Sequence, residues 1–264
     1  MPDAPVFTKR RADAPRGFFA AEAAGLAWLD EAAREHGGVP VVRPLEVHPD
    51  RIVLPLLEHG RPDAAAARTF GRRLAATHAA GATGFGAPPP GLAGDGWIGP
   101  LALPHAHDQD AGPSWGGFYA THRLLPYARA ARDSGALTQD GARAVDRVCS
   151  RLAAEDPDLC GPPEPPARLH GDLWSGNVLW TPSGVVLVDP AAHGGHREAD
   201  LAMLALFGLP HLDAVLAGYD EAAPLAAGWR ERVPLHQLHP LLVHAVLFGS
   251  SFGAQSEAVA RRFG

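Results

Sequence analysis

The stretch LHGDLWSGNVLW, Leu169 to Trp180, is the most informative part of this sequence. It holds a histidine, an aspartate and an asparagine within eight residues, with two glycines among them. Polar residues and glycines directly ahead of an apolar run are typical of a loop that enters a strand, and loops on a rigid scaffold often carry function. The aspartate of this loop is therefore the first candidate for a functional residue.

The residues after this loop predict a β-hairpin. Asn177 to Trp180 and Val185 to Asp189 are apolar runs on either side of TPSG, which has proline and glycine where turns prefer them. Folding the hairpin pairs Trp180 with Val185 and brings Asn177 and Asp189 together at its open end, within one residue of register. Asp172 lies five residues before Asn177, on the loop that enters the first strand.

These three side chains suit phosphoryl transfer. An amide oxygen beside a carboxylate suits a hard cation such as Mg²⁺, so Asn177 and Asp189 are candidate metal ligands. A second carboxylate, Asp172, could accept a proton from a hydroxyl group. This order matches the protein-kinase-like set of a catalytic base, a metal-binding amide and a metal-binding aspartate. Each residue alone could simply belong to a turn or a strand end, but the three at this spacing favour catalysis.

The N-terminal segment gives an independent signal. Glu22 lies four residues after Phe18 and four before Leu26, so it falls on the apolar stripe of a predicted helix. A carboxylate removed from water needs a partner, and Lys9 on the preceding predicted strand is the candidate. In kinases, a strand lysine paired with a helix glutamate holds the nucleotide phosphates. The alternative is an ordinary surface ion pair.

Composition and charge exclude several classes of protein. The chain has 264 residues, of which 46% are hydrophobic and 20% charged, as is typical of a folded globular protein. The net charge is −6 and no basic tract is present, so nucleic-acid binding is not expected. Cys149 and Cys160 form no CxxC motif, which fits a reducing, cytoplasmic environment. No apolar run approaches the ~20 residues of a membrane span, and the N-terminus lacks the apolar stretch of a signal peptide.

The pattern along the chain predicts an α+β protein with two lobes. Residues 1–59 are expected to form a shortened small lobe that contains β-structure and ends in a hinge. Residues 60–264 are expected to form a larger, mainly helical lobe that carries the hairpin. The hinge could present the backbone of Leu56, Leu57 and Glu58 to an adenine.

Three local expectations concern helices and loops. A helix is predicted over Asp13 to Gly38, capped by Asp13 and stopped by the glycines at its end. The segment Gly84 to Ser114 is expected to be a long loop, with Trp97 docked in it. The helical tail after Glu198 is expected to be broken at Pro210, Pro224 and Pro234.

The run LHGDLWSGN followed by VDPAAHGGHREADLAM resembles the fructosamine kinase (ketosamine 3-kinase) family. This family is related to aminoglycoside and choline phosphotransferases and shares the protein-kinase-like fold. HGDL with an asparagine five residues after the aspartate is common to the superfamily, whereas the tryptophan in HGDLWSGN is similar to the fructosamine branch. The segments VFTK, DGWIGPLALPH, SWGGFYATHRLLP and LHQLHPLLVHAVLFG extend the resemblance over nearly the whole chain.

The resemblance implies ATP-dependent phosphorylation of a sugar hydroxyl on a ketoamine, a sugar joined to an amine. The substrate would be a small molecule or a glycated amine. In this resemblance Asp172 accepts the hydroxyl proton, and Asn177 and Asp189 hold Mg²⁺. Lys9, oriented by Glu22, contacts the ATP phosphates, and His170 braces the catalytic loop. The side chains implied to face the sugar are Trp97, Arg123 and Trp174.

One departure from the family pattern matters for activity. The family usually has two more strands before VFTK, joined by a glycine-rich turn that covers the phosphates, whereas only Met1 to Pro5 precede Val6 here. Loss of a few kcal/mol of such stabilisation would cost ~10²–10³ in rate. A late start site, weak ATP binding and loss of catalysis are the three explanations. The short lobe would also leave a sheet edge open, where a second copy could form a homodimer.

Other polar clusters have less specific patterns. The spacing of His193, His196 and Asp200 allows a metal cluster, but no cysteine or HExxH pattern supports zinc, and bracing of loops is preferred. Asp200 precedes an apolar run, so it is expected to cap that helix or to brace the catalytic loop. The segment HAHDQD, His105 to Asp110, is expected to be a solvated polar loop.

Alternatives to a ketosamine kinase stay open at this point. An aminoglycoside-type kinase needs several carboxylates facing a polycation, for which Asp95, Asp108 and Asp110 are candidates. A catalytically impaired binding protein of kinase fold is supported by the missing glycine-rich strands. Metal-dependent hydrolysis of a phosphate ester is a weaker third alternative.

Overall fold

The computed structural model describes residues 5–106 and 114–264. Its strands are β1 (Val6–Arg10), β2 (Glu46–His48), β3 (Arg51–Pro55), β4 (Gly96–Ile98), β5 (Leu101–Leu103), β6 (Ala167–Leu169), β7 (Val178–Thr181), β8 (Gly184–Leu187) and β9 (His193–Gly195). Its α-helices are α1 (Phe18–His36), α2 (Ala64–Ala79), α3 (Trp115–Phe118), α4 (Leu125–Asp133), α5 (Gln139–Ala153), α6 (Pro157–Cys160), α7 (Glu198–Leu206), α8 (Leu212–Ala222), α9 (Trp229–Phe248) and α10 (Ser250–Phe263). A π-helical turn, Tyr119–Leu124, lies between α3 and α4, and a 3₁₀ turn, Ser175–Asn177, precedes β7.

The small lobe consists of a three-stranded antiparallel sheet and helix α1. The strand order is β1–β3–β2, with Lys9 opposite Ile52, so β1 lies at an edge of the sheet among the described residues. One face of the sheet is apolar, because Ile52 and Leu54 are buried and belong to the same core as Phe19 of α1. Strand β2 was not predicted from the sequence.

Helix α1 begins later than predicted. Its N-cap is Gly17, with φ of 84°, and no side chain caps the helix. The prediction of Asp13 as the cap is therefore wrong, and Asp13 instead lies 3.5 Å from the side chain of Arg11. Glycine adopts this left-handed conformation without the strain that a Cβ would add. The predicted stop is confirmed, since Gly37 at φ 72° donates its N–H to the carbonyl of Ala32.

The hairpin β7–β8 packs against the small lobe. Leu187 donates its N–H to the carbonyl of Pro40 at 2.9 Å and accepts the N–H of Val42 at 3.0 Å. Val178 and Leu187 share a hydrophobic core with residues of α1, β3, α2 and α8. A second core unites α4, α5, α9 and α10. The end of the hairpin is thereby fixed beside β1 and α1.

Two parts of the large lobe differ from the sequence-based expectation. The predicted loop over residues 84–114 contains the short hairpin β4–β5, whose Trp97 ring lies 5.8 Å from the ring of Phe18. The predicted break at Pro234 is wrong, because α9 runs through both Pro234 and Pro240. Buried residues along α9, such as Leu238, offset the ~3 kcal/mol that a proline costs inside a helix. Within the described residues, no helix combines the length and the apolar character needed to cross a membrane.

Candidate active site

The hairpin β7–β8 has the predicted register. Trp180 pairs with Val185, and Thr181 pairs with Gly184 across the turn. Thr181 Oγ1 donates to the carbonyl of Gly184 at 2.7 Å, which closes the turn. The register predicted from the apolar pattern and the turn residues is therefore confirmed.

Asp172, Asn177 and Asp189 lie together at the open end of this hairpin. Asn177 Nδ2 donates to the main-chain oxygen of Asp172 at 2.8 Å, to its Oδ2 at 3.2 Å, and to the main-chain oxygen of Asp189 at 3.4 Å. Since the amide nitrogen is engaged in this way, the amide oxygen of Asn177 is the atom that could face a cation. Asp189 has φ of 53°, a conformation that a non-glycine residue adopts rarely and that occurs at functional sites.

Lys9 links the small lobe to this cluster. Its Nζ donates to Glu22 Oε2 at 3.0 Å and to Asp189 Oδ1 at 2.9 Å. Burial alone would lower the pKa of Lys9, but the charges of Glu22 and Asp189 outweigh burial and raise it. The strand lysine and the helix glutamate thus form the predicted pair, and the same lysine also contacts the metal-ligand candidate Asp189.

Burial raises the pKa values of two carboxylates of the site, Asp172 and Glu22. It raises the pKa of Asp172 to about 6, helped by the negative charges of Asp189 and Asp200 and opposed by the hydrogen bond from Asn177. Burial also raises the pKa of Glu22 to about 7, against the effect of Lys9. A carboxylate with a pKa near 6 is mostly ionised at neutral pH but basic enough to take a proton.

Asp200 and His170 hold the loop that carries Asp172. Asp200 Oδ2 accepts the main-chain N–H of His170 at 2.8 Å, and Oδ1 accepts that of Gly171 at 3.0 Å. His170 Nε2 lies 2.9 Å from the carbonyl of Val188, and His170 Nδ1 accepts the N–H of Asp172 at 3.3 Å. Asp200 was expected either to cap α7 or to brace the loop. The structure shows that it braces the loop, because no side chain caps α7.

His78 is a member of this network that sequence reasoning did not assign. Its Nε2 lies 3.2 Å from Asp200 Oδ2 and its Nδ1 lies 2.8 Å from the hydroxyl of Tyr219. The available signal was its position on the apolar side of α2, beside Phe70 and Leu74. A buried histidine at such a position needs a polar partner, and that partner is a carboxylate from a distant helix.

A cleft of about 770 Å³ brings most of the predicted site residues together. The predicted residues that line it are Lys9, Glu22, Trp97, Asp172, Trp174, Asn177 and Asp189. Arg123 does not line this cleft; it is 1% exposed and lies on the wall of an adjoining pocket. The hinge residues do not line the cleft either. Leu56 is 53% exposed and its N–H donates to the carbonyl of Pro5 at 2.9 Å, so this donor is already used.

The histidines considered for zinc are arranged differently from the expectation. His196 lies with Glu198 and His236 rather than with Asp200, and the ligand-type atoms of these three are within 4.8 Å of one another. Arg232 already binds Glu198 through two hydrogen bonds, of 2.9 and 2.5 Å. Against the effect of burial, His236 and Arg232 hold the pKa of Glu198 at about 2. The carboxylate is therefore neutralised by an arginine, which disfavours a metal cation at this place.

The segment His105 to Asp110 is only partly described. His105 is buried, and its N–H donates to Asp95 Oδ1 at 3.1 Å, so the expectation of a solvated loop is wrong for His105. Asp108 and Asp110 lie outside the described residues. Of the three carboxylates weighed for an aminoglycoside site, Asp95 is thus engaged within its own loop.

A family model described as fructosamine kinase matches residues 2–263. The chain belongs to the fructosamine kinase family. A probable ketoamine kinase of Enterococcus faecium is 32% identical to it over 259 residues, which is 97% of this chain and 87% of that protein. Family membership makes this α+β protein a kinase and disfavours the non-catalytic alternative.

Solved structures agree with this family membership. A protein from Thermobifida fusca named as a fructosamine-3-kinase is 49% identical, with a TM-score of 0.86 over 98% of this chain and 85% of that chain. The choline kinase of Streptococcus pneumoniae, 13% identical, has a TM-score of 0.60 over 100% of this chain and 87% of that chain. At this lower identity the likeness shows the fold alone, which is the two-lobed protein-kinase-like fold.

Proposed function

We propose that this protein transfers the terminal phosphoryl group of ATP to a sugar hydroxyl of a ketoamine. The single observation that carries the proposal is the cleft in which Lys9 Nζ, 2.9 Å from Asp189, lies with Asp172 and Asn177. These are the parts needed to position phosphates, a cation and an attacking hydroxyl. The ketoamine as acceptor is supported by the names of the similar proteins.

In this proposal Asp172 is the base. The acceptor hydroxyl would donate a hydrogen bond to the Asp172 carboxylate, which takes the proton as the oxygen attacks the phosphorus. Its pKa of about 6 leaves it ionised at neutral pH. Asn177 holds this carboxylate by a 3.2 Å hydrogen bond, so the base is oriented before the substrate binds.

Asn177 and Asp189 would hold Mg²⁺. The donor set fits, because an amide oxygen and a carboxylate are hard oxygen ligands, and Asp189 Oδ1 already faces a cationic group, the ammonium of Lys9. Bound Mg²⁺ would neutralise charge on the phosphate oxygens. Lys9, held by Glu22, would contact the same phosphates, and the backbone of Leu57 and Glu58 remains the proposed contact for the adenine.

The remaining proposed roles concern the acceptor and the assembly. Trp97 and Trp174 line the cleft and offer aromatic faces to a sugar. Residues 1–59 and 60–264 are the proposed small and large lobes. The exposed edge strand β1, where Val6 is 51% and Phe7 is 52% exposed, supports a homodimer formed through this edge. A cytoplasmic location is supported by the two cysteines, which form no disulfide with each other.

The test is acceptor-dependent ADP formation. Fructosyl- or ribulosyl-lysine should be phosphorylated in the presence of MgATP, and kanamycin should not. MgATP at millimolar concentration should also raise the melting temperature, since a ligand that binds only the folded state stabilises it. ADP formation with kanamycin alone, or phosphate release without any acceptor, would contradict the proposal.

A further inference from the structure

A second cavity adjoins the cleft. This inner pocket shares Ile98 and Asp172 with the cleft, so the proposed base lies on the wall of both. Aromatic and apolar side chains such as Trp115, Phe118 and Val243 form much of its wall. An apolar wall with a few polar groups is typical of sites for small organic molecules.

Arg123 lies on the wall of the inner pocket with an incomplete set of hydrogen bonds. Nη1 donates to the carbonyls of Pro104 at 2.6 Å and His122 at 3.2 Å, and the guanidinium lies 4.7 Å from the centre of the Phe118 ring. Among the described residues, Nε and Nη2 find no hydrogen-bond partner, and neither does Nε2 of His239 on the same wall. Buried polar groups without a protein partner are rare, and a bound ligand or an ordered water commonly supplies the partner.

The guanidinium edge formed by Nε and Nη2, which has no hydrogen-bond partner in Arg123 among the described residues, binds carboxylates elsewhere in this protein. Arg232 binds the Glu198 carboxylate through Nε and Nη2, and Arg197 binds the Glu164 carboxylate through the same two nitrogens. This edge presents two parallel N–H groups that match the two oxygens of a carboxylate. Arg123 offers the identical edge, but no described carboxylate forms an ion pair with it.

The charge of the inner pocket is also unbalanced. Burial lowers the pKa of Arg123 to about 10, so it remains protonated at neutral pH. Burial and the charge of Arg123 lower the pKa of His239, which is therefore neutral. The described carboxylates on the wall are Asp172, which serves the reaction, and Asp200, which is held by the catalytic loop and His78. The charge of Asp95, outside this wall, also acts on Arg123, but among the described residues no carboxylate forms an ion pair with its guanidinium.

The backbone that carries Arg123 is unusual. Tyr119–Leu124 is a π-helical turn inside an otherwise α-helical segment. Such turns are rare and occur often at functional sites, since the extra residue turns side chains to directions that an α-helix would not give.

We propose that Arg123, assisted by His239, binds a carboxylate group of the acceptor. The preferred substrates are then ketoamines of free amino acids, whose carboxylate lies a few bonds from the sugar. This inference rests on the proposed function and adds the class of acceptor to it. A carboxylate is favoured over a phosphate because the same guanidinium edge binds a carboxylate in the Arg232–Glu198 and Arg197–Glu164 pairs of this protein.

A matched pair of acceptors tests this assignment. Fructosyl-glycine and fructosyl-glycinamide have nearly the same shape, but only the first carries a carboxylate. For the unchanged protein, we expect a KM for fructosyl-glycine about 10–100-fold lower than that for the amide, with similar kcat. Arg123→Gln should remove this preference, so that the ratio of the two KM values falls to about 1, and Arg123→Lys should restore part of it. The control is Arg129→Gln, an exposed arginine on α4, which should retain the full preference.

Each outcome decides one of the two proposals. Equal KM values for the two acceptors in the unchanged protein overturn the carboxylate site but leave the kinase function intact, and this comparison stands even if Arg123→Gln fails to fold. A preference for a fructosamine bearing a sugar phosphate over fructosyl-glycine overturns the choice of carboxylate. Failure to phosphorylate either acceptor contradicts the proposed function, and this inference with it.

Discussion

Lys9 Nζ lies 2.9 Å from Asp189 Oδ1, although 180 residues separate them in the sequence. The contact exists because strand β8 is hydrogen-bonded to residues 40–42, directly after α1. Lys9 and Asp189, the proposed phosphate and metal ligands, are thus fixed relative to each other by the fold. In this arrangement Lys9 occupies a position between two carboxylates, where phosphates and a cation would take over its contacts.

Lys9 is expected to control the use of ATP. Lys9→Met should lower kcat/KM for ATP by ~10²–10³, because it removes a charged hydrogen-bond donor from the phosphates and leaves Glu22 and Asp189 without their counter-charge. The KM for the acceptor should change little. The measurement is steady-state ADP formation at varied ATP.

A control for this change lies next to it on the same strand. Arg10→Met also removes a positive charge from β1, but Arg10 is exposed, and it should keep ATP kinetics near those of the unchanged protein. ATP kinetics for Lys9→Met equal to those of the control would remove Lys9 from its proposed role.

Asp172 is expected to lower stability while it supports catalysis. Its pKa is about 6 in the folded protein and 3.8 in the unfolded chain, so its ionisation disfavours the folded state. The stability that the group contributes is complete below about pH 3.8 and is lost as the pH rises through about 6. Asp172→Asn should therefore be more stable at pH 7 by about 1–2 kcal/mol, while losing ~10³ or more in transfer rate.

Urea unfolding at two pH values separates these effects. The stability gain of Asp172→Asn should be present at pH 7 and absent near pH 4, if the protein remains folded there. A variant that keeps normal transfer, or one that is less stable than the unchanged protein at pH 7, contradicts this interpretation of Asp172.

The pH dependence of turnover is expected to follow the same group. A base must be unprotonated to act, so kcat should rise with pH up to about 6 and then level off. Glu22, with a pKa of about 7, should add a separate effect on ATP, because its protonation weakens its hold on Lys9. The KM for ATP should thus increase as the pH falls below 7. A kcat that stays constant from pH 5 to 7 would exclude Asp172 as the base.

The parts of the site that the sequence predicted depend on short-range rules. The hairpin register follows from a two-residue period and a proline–glycine turn, and it places Asn177 and Asp189 together. The pairing of Lys9 with Glu22 follows from one carboxylate on the apolar stripe of a helix. In both cases neighbours in the sequence set the direction of the side chain, so no knowledge of distant contacts was needed.

The parts that the sequence did not predict depend on long-range contacts. His78 finds its partner on a helix 122 residues later, and α9 continues through Pro234 because its buried side chains pack on other helices. Arg123 was assigned to the sugar by resemblance, but a π-helical turn, which no local pattern indicates, places it in the inner pocket. Local propensity is a weak guide where tertiary packing decides the outcome.

Asp200 is expected to link the stability of the large lobe to catalysis. Its carboxylate is 1% exposed and accepts hydrogen bonds from the main chain of His170 and Gly171, while His78 lies 3.2 Å away. Asp200→Asn keeps the shape but places an NH₂ group against one of these donors. The expected cost is about 2–4 kcal/mol in the free energy of unfolding. Since the loop that carries Asp172 is then less well held, kcat should fall about tenfold, with little change in the KM for ATP.

The contribution of Asp200 to the free energy of unfolding is expected to decrease at acid pH. His78 and the catalytic-loop N–H groups outweigh burial and lower the pKa of Asp200, so its contribution to stability is present above the unfolded value of 3.8 and is lost as the pH falls through the lower folded value. Asp146→Asn, at an exposed position of α5, is the matched control. It should change the free energy of unfolding by no more than ~0.5 kcal/mol and should leave kcat unchanged. Asp200→Asn with the stability and kcat of this control would show that the loop is held by other contacts.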